Sequence, residues 1–499
     1  MTTETYSPAE ETFNRLRQTL GLIAGPLIAI AILVMPTALN AAAQRVGAVL
    51  ALMIVLWMTE ALPLAVTALL GPTLCVILGV ATAQVAYAPF ADPVIFLFIG
   101  SFILAQGMVA HKLDRRLAFT ALASEWVGSS GLRLVVAYAG VTCFLSMWMS
   151  NTATTAMMFP LGLAVLSELG RERKGDREFQ RYAMAMMLVT SFSATIGGMG
   201  TPVGTPPNLI GLGLLRTTAG INVSFTDWML VGVPIMAVIM ASLVAWFLAP
   251  RARAIRLGPE AVRTVAHELR KLGPMTVGER NVVLAFSATV ALWVLPGVFS
   301  LMLGETHAAT RRVMALFPES VAAIVGGLLL LVIPVSWRER RFTLSWAEAS
   351  QIDWGIVLLF GGGLAMGRLS ETTGLSTALG QGIAARFPDA GVVGLTMVFT
   401  AIAVVMSETA SNTAAANIIV PTAIAVSQAA GVSPLEPALG ATIGSSLGFM
   451  MPISTPPNAI VYSSGYIPLG QMVRNGFVLD IVGYFLVVAG VLVLSGFLR

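Results

Sequence analysis

The feature that most constrains this chain is its string of apolar stretches near the length of a bilayer span. Eleven run at about 20–39, 46–58, 63–82, 93–110, 183–219, 230–249, 282–302, 319–336, 354–367, 438–462 and 476–498. A helix needs about 20 mostly apolar residues to cross a bilayer. Two further regions, 134–166 and 391–428, contain "MSNTATTAMMFP" (Met149 to Pro160) and "ASNTAAANIIVP" (Ala410 to Pro421). Each holds a Ser-Asn-Thr triplet near its middle, leaving arms of about 12–19 residues. Arms that short predict a re-entrant hairpin with a polar tip at membrane depth. Non-helical backbone is tolerated there only where protein or a water-filled cavity surrounds it.

Of 499 residues, 56% are hydrophobic and 11% charged. A soluble chain carries about a quarter charged residues, so the expected class is an all-α polytopic membrane protein. A net charge of +4 gives no reason to expect a nucleic-acid partner. Cys75 and Cys143 lie in apolar runs and read as packing residues. No HExxH, Walker A or GxSxG pattern is present, which argues against a metalloprotease, an ATP-driven pump and a serine hydrolase. "ALNAAAQR" offers a weak signal-peptidase-like site, but the preceding run is long and its flank weakly basic. A retained first helix is expected.

With the N-terminus in the cytoplasm, the 29 Lys and Arg residues divide 22 to 7 between the cytoplasmic and outer sides. That asymmetry favours this orientation, with the C-terminus outside. The first hairpin then opens to the cytoplasm and the second to the exterior.

The two halves also repeat. Asp92 and Asp353, Gly100 and Gly361, Ser150 and Ser411, and Pro160 and Pro421 are all 261 apart. "TPVGTPPN" (201–208) and "MPISTPPN" (451–458) are 250 apart, and the basic loop 171–181 accounts for the difference of 11. Copies that start on opposite sides of a membrane form an inverted repeat, an architecture of many secondary transporters.

Within the apolar runs, Pro206 and Pro207, and Pro456 and Pro457, predict two broken helices, because proline removes a donor and clashes with the preceding turn. Freed carbonyls suit a cation and a new helix N-terminus suits an anion. The Ser, Asn and Thr side chains of the tips offer both donors and acceptors. No Lys or Arg lies in either tip or either break. An anion held there needs helix N-termini, neutral donors and bound cations, which makes anion binding depend on the cation. Glu60 and Glu408 are the notable carboxylates in apolar context and are functional candidates by default, with an interfacial or backbone-paired carboxylate as the plainer reading. Asp92 and Asp353 immediately precede apolar runs and read as helix caps.

The paired Ser-Asn-Thr tips, the paired Thr-Pro-Pro-Asn breaks and "TEALPL" resemble the divalent anion:sodium symporter family, which includes sodium/dicarboxylate and sodium/citrate cotransporters. The resemblance implies about 11 transmembrane helices plus two re-entrant hairpins, a homodimer, and a scaffold domain against which a transport domain moves as an elevator. It implies a first Na⁺ site from Ser146, Ser150, Asn151 and Gly204, and a second from Ser407, Ala410, Asn412 and Ser454. Substrate carboxylates are then expected at Ser150, Asn151, Thr152, Thr205, Pro206, Ser411, Asn412, Thr413, Thr455 and Pro456. Related members carry Thr at the position of Ser407, which keeps a hydroxyl, and Ala at that of Ser454, which acts through its backbone. Na⁺-independent exchangers of the family typically carry a basic residue soon after a tip, and this chain has none.

The expected activity is Na⁺-coupled import of C4 dicarboxylates such as succinate, malate or fumarate. The expected location is the cytoplasmic (inner) membrane of a bacterium. The alternatives are a Na⁺-independent dicarboxylate exchanger or a Na⁺-coupled citrate or sulfate transporter. A membrane enzyme or an anion channel is a further reading from another class, but the tips offer no nucleophile–base pair or metal cluster. The expected segments are an N-terminal stretch 1–19, N-terminal helices 20–92, a first repeat 93–249, a cytoplasmic linker 250–281, scaffold helices 282–352 and a second repeat 353–499.

Overall fold

The computed structural model describes residues 8–171, 176–253, 255–256, 266–304, 307–386 and 390–498. Residues 1–7 of the N-terminal segment, 172–175 of the basic loop, and 254 and 257–265 of the linker lie outside the described residues.

Among the described residues, eight helices are long and apolar enough to cross a membrane, and nine if one bent pair counts as a single span. They are Thr12–Val34, Ala41–Thr59, Pro93–Ala110, Asn151–Gly170, Phe225–Ala252, Val277–Ser300, Val392–Thr409 and Leu469–Leu498. The bent pair, Ala308–Leu316 and Glu319–Val332, turns by 53° at Phe317–Pro318. Proline cannot continue the first helix but suits the entry to the second. A two-stranded antiparallel hairpin, Pro334–Ser336 with Arg341–Phe342, and an isolated antiparallel bridge between Ser130 and Arg256 depart from the all-helical pattern among the described residues. The hairpin's turn needs a left-handed residue, supplied by Arg340 at φ 49°.

One hairpin arm differs from the short length expected. Asn151–Gly170 reaches spanning length and composition and runs on past its apolar stretch to Arg171. Val392–Thr409, at 18 residues, falls within the expected arm length and is apolar enough to count as a span as well. Polar end residues keep helical dihedrals, so the helix outlasts the hydrophobic signal.

The chain groups into two compact units, each built from three separated stretches. The first comprises Met1–Ile95, Ile210–Asn222 and Trp354–Ser445, and the second Phe96–Leu209, Val223–Asp353 and Ser446–Arg499. In the first unit, every residue of Leu435–Gly444 is buried. Thr12–Val34 is the opposite: only 11% of its apolar window is buried, and Leu16, Leu20, Ile23, Leu27 and Ile30 are exposed. A helix apolar on every side is either buried all round or faces lipid. Here both cases occur in one unit. Close approach is made by a glycine: a Cβ at Gly362 would fall 2.3 Å from the Ala68 carbonyl oxygen, so any other residue there forces the two helices apart.

The second unit centres on Arg177–Gly198, where every residue from Tyr182 to Gly198 is buried. At its C-terminal end a Cβ on Gly197 would lie 2.1 Å from the Cys143 carbonyl oxygen. The helix Gly131–Ser146 therefore packs backbone to backbone against it. Both cysteines are buried and free, as packing residues should be.

Candidate functional site

Each broken helix stops and restarts where the proline pair dictates. Arg177–Gly198 ends, an irregular stretch follows, and Pro206 opens the next helix, Pro206–Ala219. In the second copy Leu435–Gly444 ends and Pro456 opens Pro456–Tyr462, with Thr455 as N-cap accepting the Asn458 N–H. Proline is favoured at the first helical position because the N–H it lacks has no partner there anyway.

The irregular stretch at each break is held by a residue missing from the expected site. The side-chain amide of Asn208 donates to the carbonyls of Gly198 at 2.9 Å and Thr201 at 2.8 Å. Asn458 does the same to Gly448 at 3.0 Å and Met451 at 2.9 Å. The partners lie 10 and 7 residues upstream in both copies. Both asparagines are fully buried. The signal was present, since each is the last letter of Thr-Pro-Pro-Asn, but a polar residue after a proline pair does not announce which carbonyls it will reach.

The tips repeat with the same fidelity. In the second unit, the helix Gly131–Ser146 gives way at Met147–Ser150 to a turn, and Asn151 opens the next helix. Ser146 Oγ donates to Asn151 Oδ1 at 2.8 Å. Ser150 Oγ accepts the Ala153 N–H at 3.2 Å. In the first unit, Ser407 Oγ donates to Asn412 Oδ1, also at 2.8 Å. Ser411 caps Asn412–Ala429 by accepting the Ala414 N–H. Ala410 leaves the helix in an extended conformation, φ −139° and ψ 176°.

The first copy collects oxygen atoms. A Cβ at Gly198 would lie 2.5 Å from Asn151 Oδ1, and one at Gly204 would lie 2.6 Å from the Gly198 oxygen and 3.0 Å from the Ser146 oxygen. Glycine at both positions lets the tip and the break approach until Ser146, Asn151, Gly198 and Gly204 share one small volume. Thr201 Oγ1 donates to the Met147 carbonyl, tying the break to the tip. Neutral oxygens gathered in this way suit a hard cation. Thr205 is buried and precedes Pro206, while Thr152 is exposed beside the turn.

In the first unit the structure brings Ser407, Ala410, Ser411, Asn412 and Thr413 onto one tip, and Ser407 Oγ also lies 2.9 Å from the Ser445 carbonyl oxygen. Ser454, Thr455 and Pro456 belong to the second unit, where Ser454 and Thr455 are buried. Of the acidic candidates, Glu60 ends Ala41–Thr59 in a left-handed conformation and pairs with Arg17 at 2.8 Å. The partner is a side-chain cation, where the plainer reading expects backbone donors or an interface. Glu408 is buried, at 5% exposure. Asp92 caps its helix by accepting the Val94 N–H at 2.9 Å, as expected, and also pairs with Arg216.

Eight or nine apolar spans among the described residues, two proline-broken helices and two polar tips define a multi-pass membrane protein. The chain belongs to the sodium:sulfate symporter family, the divalent anion:sodium symporters, whose transmembrane-region model matches residues 15–495. It is a transporter and not an enzyme. An uncharacterized transporter of Haemophilus influenzae is 33% identical over 437 residues, 87% of this chain and 88% of that protein. The sodium-dependent dicarboxylate transporter SdcS of Staphylococcus saprophyticus is 31% identical over 488 residues, 94% of this chain and 91% of its own length. SdcS of Staphylococcus aureus USA300 is 31% identical over 481 residues. The fold is shared with the crystal structure of the YdaH transporter of Alcanivorax borkumensis, with a TM-score of 0.57 over 97% of this chain and 98% of that one, at 16% identity.

Proposed function

We propose that this protein is a Na⁺-coupled secondary active symporter that imports C4 dicarboxylates such as succinate, malate or fumarate. The observation that carries the reading is the duplicated tip, in which Ser146–Asn151 and Ser407–Asn412 make the same 2.8 Å hydrogen bond in a setting free of Lys and Arg. An anion with two carboxylates is there neutralised by cations and by helix N-termini rather than by a fixed positive side chain. Binding of one species then favours the other, which is the thermodynamic requirement for symport. The names of the SdcS relatives support the same cation and substrate class.

In this reading Ser146, Ser150, Asn151 and Gly204 hold one Na⁺, and Ser407, Ala410, Asn412 and Ser454 hold another. Ser150, Asn151, Thr152, Thr205, Pro206, Ser411, Asn412, Thr413, Thr455 and Pro456 contact the substrate. Asn208 and Asn458 keep each helix break open at a fixed geometry. The recurrence of hydrogen bonds at offsets of 261 and 250 supports a repeat. The 22 to 7 division of Lys and Arg supports its inversion, with re-entrant tips, a cytoplasmic N-terminus and an exterior C-terminus. An eleven-helix homodimer working as an elevator in a bacterial inner membrane completes the proposal, with 1–19 as a cytoplasmic segment, 93–249 and 353–499 as the repeats and 282–352 within the scaffold.

The test of substrate class is labelled succinate uptake into proteoliposomes under an inward Na⁺ gradient, with unlabelled competitors. Malate and fumarate are expected to suppress uptake, and citrate and sulfate to leave it unchanged. Suppression by sulfate or citrate without suppression by malate overturns the C4 assignment.

A further inference from the structure

The second unit contains a cavity of about 1240 Å³ that shares no residue with the tips or the breaks. Its polar lining includes Ser167, Arg177, Gln180, Arg181, Arg251 and Gln471. Three arginines line one space, and among the described residues no carboxylate lines it. Among the described residues, no ion pair uses Arg177, Arg181 or Arg251. Asp176, a described acid beside Arg177, does not line the cavity and caps its own helix by accepting the Glu178 N–H at 2.8 Å.

Arg251 is held in place from behind. Its Nη1 donates to the Phe247 carbonyl at 2.8 Å and its Nη2 to Asn475 Oδ1 at 3.4 Å. Its guanidinium also lies 4.2 Å from the centre of the Phe247 ring. A guanidinium carries five N–H donors, so two bonds leave donors for a ligand. Arginines gathered around one cavity repel each other until a multivalent anion enters, and a guanidinium fork matches phosphate oxygens two at a time.

The surroundings indicate where that phosphate comes from. Trp246, 43% exposed, stands beside Arg251 on a π-helical turn, Leu243–Leu248, and Tyr466 lines the cavity. Trp and Tyr mark the membrane–water interface. Basic pockets between spanning helices at that level take phospholipid headgroups. The volume also exceeds what a bare phosphate fills. We propose that this cavity is a phosphate-group site occupied by the headgroup of an anionic phospholipid, bound by Arg177, Arg181 and Arg251.

The test is thermal unfolding of the full chain in phosphatidylcholine vesicles, in vesicles containing phosphatidylglycerol, and in phosphatidylcholine with inorganic phosphate at matched ionic strength. Phosphatidylglycerol is expected to raise the midpoint by several degrees. The exposed pair Arg177→Gln and Arg181→Gln is expected to abolish that rise while leaving the midpoint in phosphatidylcholine unchanged. Arg251→Lys, which keeps the charge but not the fork, is expected to reduce it. A rise with inorganic phosphate alone, lost in the same variants, keeps the phosphate site but assigns it to a soluble ligand. No rise under either condition, or a rise that survives all these substitutions, overturns the proposal.

Discussion

The first and second copies of the tip-and-break arrangement share a skeleton but not its fittings. Both close the tip with a Ser–Asn bond and both hold the break with an asparagine. In the first copy, Thr201 ties break to tip through the Met147 carbonyl. The corresponding residue of the second copy, Met451, has no hydroxyl. Asn458 Oδ1 accepts a hydrogen bond from Ser191, whereas Asn208 Oδ1 is buried without a partner among the described residues. Where the first copy's break meets its tip it has Gly204, and the residue 250 positions on in the second copy is Ser454. What the two copies keep in common is what the proposed cation-and-carboxylate site needs. What differs is the local packing that each copy has to accommodate.

That comparison can be broken at its common element. Asn151→Ala and Asn412→Ala each remove an oxygen proposed to hold Na⁺, and each is expected to raise the Na⁺ half-saturation concentration by roughly 10–100-fold, by analogy with lost support at other metal sites. Circular dichroism should show both variants folded. Wild-type Na⁺ dependence in either variant removes that copy from the site.

Exchanging the fittings sharpens the contrast. Gly204→Ser installs the residue of the second copy where a Cβ meets the Gly198 oxygen at 2.6 Å and the Ser146 oxygen at 3.0 Å. Overpacking of this kind costs about 1–3 kcal/mol, and uptake should fall with stability. The converse change, Ser454→Gly, adds no atoms to a packed site and is expected to be the milder of the two. Equal effects on unfolding midpoint and uptake show that the copies are packed alike after all.

The asparagines of the breaks come next. Asn458→Ala loses two carbonyl contacts and strands the Ser191 hydroxyl, while Asn208→Ala loses two contacts and removes an oxygen that was already unpaired. Unsatisfied buried groups cost about 1–3 kcal/mol each. Asn458→Ala is therefore expected to lower the unfolding midpoint further than Asn208→Ala. The smallest effect belongs to Thr201→Val, which removes one hydrogen bond worth about 1 kcal/mol and should leave the Na⁺ dependence of uptake in place.

The tips, the breaks and the family were legible because they are polar or conformationally forced residues in an apolar background. Proline pairs stop helices in any solvent, and Ser-Asn-Thr at the centre of an apolar run has few structural explanations. Other features left no trace in residue type. Arg177–Gly198 is buried from Tyr182 onward while Thr12–Val34 is mostly exposed, yet both read as apolar helices. In a bilayer the lipid-facing side and the core-facing side are equally apolar, so the periodicity that reveals a buried face in a soluble protein is lost. The bend at Phe317–Pro318 and the short hairpin at 334–342 lie where the apolar signal fades, and there local backbone geometry alone decides. The reach of Asn208 and Asn458 back into the break depends on how the chain runs through it.

The central claim is that cation and dianion occupy this protein together. The most direct measurement is labelled succinate accumulation in proteoliposomes, with an inward Na⁺ gradient and with Na⁺ replaced by K⁺ on both sides. Symport predicts accumulation above the external concentration with the Na⁺ gradient and none with K⁺. Equal uptake in the two salts contradicts the account.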